Sequence, residues 1–76
     1  MRRVYADFNA RNEDGSVALH TSGSTESIAA LDSPLVDGET VVLSDGEVEF
    51  HGTVYQVFSA VLQRKVWAGR IVNWIA

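Results

Sequence analysis

The stretch LSDGEVEFHGTV (residues 43–54) places an ionisable side chain at every second position. These side chains are Asp45, Glu47, Glu49 and His51. On one continuous strand all four would project from the same face, as in a metal site or an acid–base site. Residues two apart on a strand are separated by roughly 6–7 Å, so a metal cage would need a further ligand such as His20. The spacing alone does not supply a metal site.

The same stretch contains Asp45-Gly46, a dipeptide that favours a two-residue hairpin turn. The flanking segments, residues 41–44 and 47–50, then become paired strands in which Leu43 faces Val48 and Val41 faces Phe50. Asp45 leaves the row, and the two glutamates with His51 lie on the exposed side of a hairpin. We therefore assign no metal ligand and no catalytic residue, and we expect no cofactor.

The N-terminal half predicts a hairpin and a short helix. Residues 4–9 alternate between apolar and polar side chains, the Asp14-Gly15 turn follows, and residues 17–20 are predicted to return as a strand. Residues 26–31 are predicted to form a helix of about two turns, capped by Ser24 or Thr25 and ended by Pro34.

The C-terminal half predicts two more strands, residues 54–58 and 66–75, with a bulge or bend at Gly52. The whole pattern predicts one domain, residues 1–76, that is all-β with one short helix. The expected architecture is a small SH3-like, five-stranded, partly open barrel, with an OB-like barrel or a β-sandwich fragment as alternatives.

Composition restricts the class of protein. The 76 residues include no cysteine, which excludes disulfides, thiolate zinc sites and cysteine nucleophiles. The hydrophobic fraction of 46% is ample for a core. No stretch approaches the length of a membrane span, so we expect a cytoplasmic protein that has no membrane partner.

Charge is segregated along the chain, which has a net charge of −4. Nine acidic residues and no Lys or Arg lie between Asn12 and Gln63, whereas both ends of the chain are basic. If the terminal strands lay side by side, a basic face would oppose an acidic one, which favours self-association or partner steering. The basic ends could also contact single-stranded nucleic acid, through Arg2, Arg3, Arg64 and Lys65.

The last predicted strand is apolar on both faces. Trp67, Ile71 and Ile75 alternate with Val66, Val72 and Trp74. A small barrel has one interior, so half of this strand needs another cover, either the helix or a second protein surface. Large aromatic residues dominate interface energies. The predicted partner-binding residues are Tyr55, Trp67, Arg70 and Trp74.

Two resemblances accompany these patterns. The opening VYADFN, the Asp-Gly turn, the Thr21–Ser24 loop and the late Gly52-x-Val54 resemble a group of small uncharacterised bacterial proteins beginning V-Y-x-D-F-N. The segment from Lys65 to Trp74 is similar to a strand of the plasmid-borne type II dihydrofolate reductases. That likeness implies an SH3-like barrel assembling into a tetramer with one central pore. The VQIY stretch of that family follows its tryptophan strand, whereas VYQV (residues 54–57) precedes it here.

The sequence thus favours a non-catalytic binding or assembly module that self-associates through its apolar C-terminal strand, as a homo-oligomer or with a protein partner. A single-stranded nucleic-acid-binding barrel is one alternative. An oligomeric, pore-type NADPH-dependent reductase similar to the dihydrofolate reductases is the other.

Overall fold

The computed structural model describes residues 1–76 and contains five strands and one helix. In chain order these are β1 (Arg3–Tyr5), β2 (Val17–Ala18), α1 (Ser22–Ala29), β3 (Thr40–Ser44), β4 (Glu49–Ser59) and β5 (Arg64–Trp74). They form one sheet in the order β1-β3-β4-β5-β2, with β1 parallel to β3 and the other pairs antiparallel. The sheet curls into a half-barrel, which confirms the predicted all-β fold with one short helix as a small open barrel. The helix, at eight residues, is too short to cross a membrane.

Leu43 lies at the centre of the core and is completely buried. Its side chain lies beneath Gly52 of β4 and Gly69 of β5, two strand positions where the absence of a Cβ lets the sheet approach closely. The surrounding cluster of buried apolar residues comes from β1 to β4 and the segments that follow β1, β2 and α1, and Trp67 and Ile71 of β5 pack against it. Its other members are Val4, Ala6, Val17, Leu19, Leu35, Val41 and Val54.

The β3–β4 hairpin forms as predicted, but its register differs by two residues. Leu43 pairs with Phe50 and Val41 pairs with Gly52, so the loop contains four residues rather than two. A two-residue turn of the expected type requires positive φ at both central residues, and here only Gly46 has it (φ +99°). The Asp45 carboxylate instead accepts the N–H groups of Glu47 and Val48, at 2.8 and 2.9 Å, and stabilises the longer loop. A shift of two preserves which side chains face the core.

The hairpin predicted around Asp14-Gly15 forms only next to its turn, where Arg11 bridges Val17 and the N–H of Ala18 donates to the carbonyl of Ala10; its pairing of residues 4–9 with 17–20 is wrong. β1 ends at Tyr5 and pairs in parallel with β3, whereas β2 pairs with β5. A turn ends the extended segment, because the N–H of Ala10 donates to the carbonyl of Asp7 and the Asp7 carboxylate accepts the N–H of Asn9. The inward periodicity is nevertheless confirmed, since Val4 and Ala6 are buried and Phe8 packs against the core.

The helix begins four residues earlier than the sequence predicts. Thr21 is the N-cap, and its hydroxyl accepts the N–H of Ser24 at 3.4 Å. Ser24 is fully buried and donates its own hydroxyl to the carbonyl of Tyr5 at 2.7 Å. A polar residue that looked like part of a loop therefore lies inside the helix because β1 supplies its acceptor.

The bulge expected at Gly52 is confirmed, and the extra residue lies on β5. His51 pairs with Asn73 and Gly52 pairs with Ile71, so Val72 has no partner in β4. The bulge shifts the alternation of β5, and Trp74 pairs with Phe50 on the core face of the sheet. Trp67 and Trp74 therefore share one face, contrary to the strict alternation used to predict opposite faces.

Gly52→Ala should destabilise the protein, because the added Cβ would lie 2.5 Å from Leu43 Cδ1 and 3.1 Å from the backbone oxygen of Arg70. We expect the free energy of unfolding to fall by about 1–3 kcal/mol, the usual cost of overpacking. Chemical denaturation measures this change.

Gly69→Ala is the matched control, since its Cβ would lie 2.9 Å from Leu43 Cδ1 and would meet only side-chain atoms. Its loss should be smaller, because side chains yield more readily than backbone. Equal losses for the two variants would contradict the backbone constraint at Gly52.

Candidate functional site

The β5 strand pairs with β4 along almost its whole length but with β2 only briefly. Val17 pairs with Gly69 and Ala18 with Ala68, and the N–H of Leu19 donates to the carbonyl of Trp67. No strand pairs with this side of β5 after Gly69. Residues Arg70–Trp74, which we call the open edge, therefore present unpaired backbone groups of a sheet edge.

The opposite edge of the sheet, β1, is closed by side chains of the helix. The N–H of Tyr5 donates to the hydroxyl of Ser27 at 2.9 Å, and the carbonyl of Tyr5 accepts from Ser24 at 2.7 Å. Both backbone groups that Tyr5 turns away from β3 are thus satisfied within the chain. At Tyr5 this edge therefore has no free backbone group, whereas the β5 edge has no strand partner after Gly69.

Exposed apolar side chains accompany the open edge. Val72 is 60% exposed and Trp74 is 67% exposed, and Ile75 follows directly after the strand. The chain exposes ten large hydrophobic residues, and six of them lie between Phe58 and Ile75. Three of these six, Val72, Trp74 and Ile75, lie at the open edge, whereas Phe58, Val61 and Leu62 lie at the opposite end of the hairpin. Neighbouring exposed apolar residues of this kind are typical of an interaction surface.

The four predicted partner-binding residues do not form one surface, because the sheet separates them. Trp67 and Trp74 lie on the core face, where Trp67 packs against the core and Trp74 remains exposed. Tyr55 and Arg70 lie on the outer face, with the Arg70 guanidinium carbon 5.6 Å from the centre of the Tyr55 ring. Of the four, only Arg70 and Trp74 belong to the open edge.

Tyr55 and Arg70 join a small polar group on the outer face. The Tyr55 hydroxyl donates to Asp14 Oδ2 at 3.4 Å, and a pocket of about 380 Å³ separates the Asp14–Ser16 loop from Arg70. The hydroxyl and the N–H of Ser16 hold the pKa of Asp14 below its usual value, with smaller contributions from Tyr55 and Arg70. These contacts tie the loop to β5, so both residues already have partners within the chain.

Two of the four predicted nucleic-acid contacts are held in ion pairs. Arg2 binds Glu39 through two nitrogens, at 2.7 and 2.9 Å, and also contacts Asp32 and the carbonyls of Ser33 and Pro34. Arg3 pairs with Glu49. Arg64 and Lys65 form no ion pair.

The four cations also do not lie together, since the terminal strands are not side by side. β3 and β4 separate β1 from β5. Arg3 lies level with Asn73 across the sheet, and Arg64 is nine residues, roughly 30 Å, further along β5. The expected basic face made by both ends of the chain is therefore absent.

In the β3–β4 hairpin, the ionisable side chains at positions 45, 47, 49 and 51 do not form one row. Asp45 accepts the N–H groups of its own turn, and the bond from Val48 contributes most to lowering its pKa. Arg3 lowers the pKa of Glu49 by hydrogen bonding to its carboxylate, while His51 contacts the Asn73 amide at 3.1 Å. No three acidic, histidine or cysteine side chains of the chain form a group able to hold a metal ion.

No protein-family model matches the chain, and no curated protein or solved structure is significantly similar to it. The two resemblances seen in the sequence therefore remain predictions. What the chain does must be inferred from the geometry of its own residues.

The Arg2–Glu39 pair predicts a pH dependence of stability. Hydrogen bonds from Arg2, and then from the N–H of Val36, lower the pKa of Glu39 from 4.5 to about 2. Since the folded-state pKa is depressed, the pair stabilises the fold above about pH 4.5 and this stabilisation disappears as the pH falls towards 2. Glu39→Gln should lower the melting temperature at neutral pH and have progressively less effect across that window.

Glu47→Gln serves as the control, because it removes the same charge from an exposed side chain that forms no ion pair. Thermal unfolding of the three proteins at several pH values makes the comparison. A difference between Glu39→Gln and the unsubstituted protein that stays constant down to pH 2 would contradict the account.

Proposed function

We propose that this protein is a non-catalytic assembly module that self-associates by pairing its open edge, Arg70–Trp74, with that of a second copy. The observation that carries the proposal is the contrast between the two sheet edges. The helix serines satisfy the outward N–H and carbonyl of Tyr5 on β1, whereas β5 has no strand partner after Gly69 and carries exposed Val72 and Trp74.

A second copy is the occupant that fits the edge most simply. Two identical edges related by a two-fold axis run antiparallel, so each supplies the N–H and C=O groups that the other needs. The same axis brings the apolar side chains of both copies to one seam. The net charge of −4 disfavours nucleic acid as the general occupant, and the open edge contains a single charged residue, Arg70.

The association should be weak. The open edge has five residues, and the bulge at Val72 interrupts regular pairing, as bulges do at protected edges. The apolar seam is small, and such an interface falls at or below the roughly 1,200 Å² at the lower end of the range for specific complexes. The oligomeric state should therefore depend on protein concentration.

Val72→Glu should shift the equilibrium towards the monomer. Withdrawing one valine from burial costs about 1.5 kcal/mol, and the change occurs twice in a two-fold dimer, so the dissociation constant should rise about 100-fold or more. Sedimentation velocity over a wide concentration range measures this shift.

Val36→Glu is the matched control, since Val36 is 64% exposed and Val72 is 60% exposed, and both lose the same side chain for the same charge. Val36 lies before β3, outside the β4–β5 hairpin. A wild-type protein that stays monomeric at the highest concentration, or equal effects of the two substitutions, would overturn the proposal.

A further inference from the structure

A second feature of the hairpin lies at its other end, where β5 passes α1. A half-open pocket of about 290 Å³ lies between the helix and the strand. Its apolar wall includes Leu19, Ile28 and Trp67, all of which belong to the core or pack against it. The pocket is thus a continuation of the core that the chain does not fill.

Three basic side chains surround this apolar wall: His20, Arg64 and Lys65. None of them forms an ion pair, whereas Arg2 and Arg3 near the other end of the sheet are both paired with carboxylates. No residue that lines the pocket is acidic. In a chain with a net charge of −4, the unpaired cations Arg64 and Lys65 beside an apolar cavity favour an anionic ligand from outside.

We infer that this pocket binds a medium-chain aliphatic carboxylate. Its hydrocarbon chain lies against Leu19, Ile28 and Trp67, and its carboxylate accepts charge-assisted hydrogen bonds from Arg64 and Lys65. The pocket volume of about 290 Å³ corresponds to about ten water-sized volumes of roughly 30 Å³ each, which sets the scale of the ligands to be tested. The apolar wall and the cations at the rim favour an amphipathic anion over an uncharged sugar or a cation.

This site is independent of the proposed self-association. It uses the core face of β5 around Trp67, whereas the open edge begins at Arg70. A variant that no longer binds the carboxylate should therefore keep its oligomeric state. A protein that proves to be monomeric could still bind the ligand.

Decanoate is the probe, and Trp67 is the reporter. The chain contains two tryptophans, so Trp74→Phe leaves Trp67 in the pocket as the sole tryptophan, which can be excited selectively at about 295 nm or longer wavelengths, beyond most tyrosine absorption. We expect a saturable change in Trp67 fluorescence with decanoate below its micellar concentration. Affinity should rise about fourfold for each methylene added from hexanoate to decanoate, as expected for burial of the chain.

The charged half of the site is tested with decanol, which has the same chain without the carboxylate. Arg64→Gln and Lys65→Gln should each weaken decanoate about tenfold and leave decanol unchanged, since charge-assisted hydrogen bonds are lost only for the acid. Arg11→Gln is the matched control and should change neither ligand, since Arg11 also forms no ion pair but lines no pocket.

The apolar half is tested with Ala29→Leu, an exposed helix position that lines the pocket. Leucine is a good helix former, so the fold should persist while the cavity is partly filled and decanoate binding is lost. The inference is overturned if decanoate gives no saturable response, if decanol binds equally well, or if Ala29→Leu binds as tightly as the parent.

Discussion

The packing of Leu43 against Gly52 and Gly69 is the constraint on which the rest of the fold depends. Leu43 lies on β3, and its completely buried side chain extends beneath β4 and β5, because neither glycine carries a Cβ at the contact. That close approach lets β3, β4 and β5 curl into a half-barrel around one small core. A chain of 76 residues buries only a small apolar area, so its stability depends on the curvature that packs this area into one core.

The same curvature leaves the two sheet edges in different situations. The short strand β1 is covered at Tyr5 by α1, whose buried Ser24 satisfies the Tyr5 carbonyl, while the still shorter β2 covers only the middle of β5. The long β4–β5 hairpin therefore extends beyond its cover at both ends. One end is the open edge with Val72 and Trp74, and the other contributes Trp67 to the pocket beside α1. Both proposals thus follow from a hairpin that is longer than the sheet around it.

Patterning predicted much of the fold, because alternation and turn residues are local signals. The inward set of Val4, Ala6 and Phe8, the β3–β4 hairpin and the bulge at Gly52 could all be identified from spacing. The strand partners could not, since the parallel pairing of β1 with β3 depends on contacts about forty residues apart. The sequence also does not indicate that the extra residue of the bulge lies on β5, and this position determines which face Trp74 occupies.

The candidate surfaces were only partly visible in the sequence. An apolar C-terminal strand was evident, but its open edge became apparent only when the two-residue pairing with β2 was known. The sequence does not indicate the pocket, because its residues come from Leu19, the helix and β5, and no motif connects them.

Amide hydrogen exchange at increasing protein concentration tests the central claim, self-association through the open edge, most directly. Self-association through the open edge predicts slower exchange within residues 70–74 as concentration rises, with no change in β1, and concentration-independent exchange in residues 70–74 would contradict it.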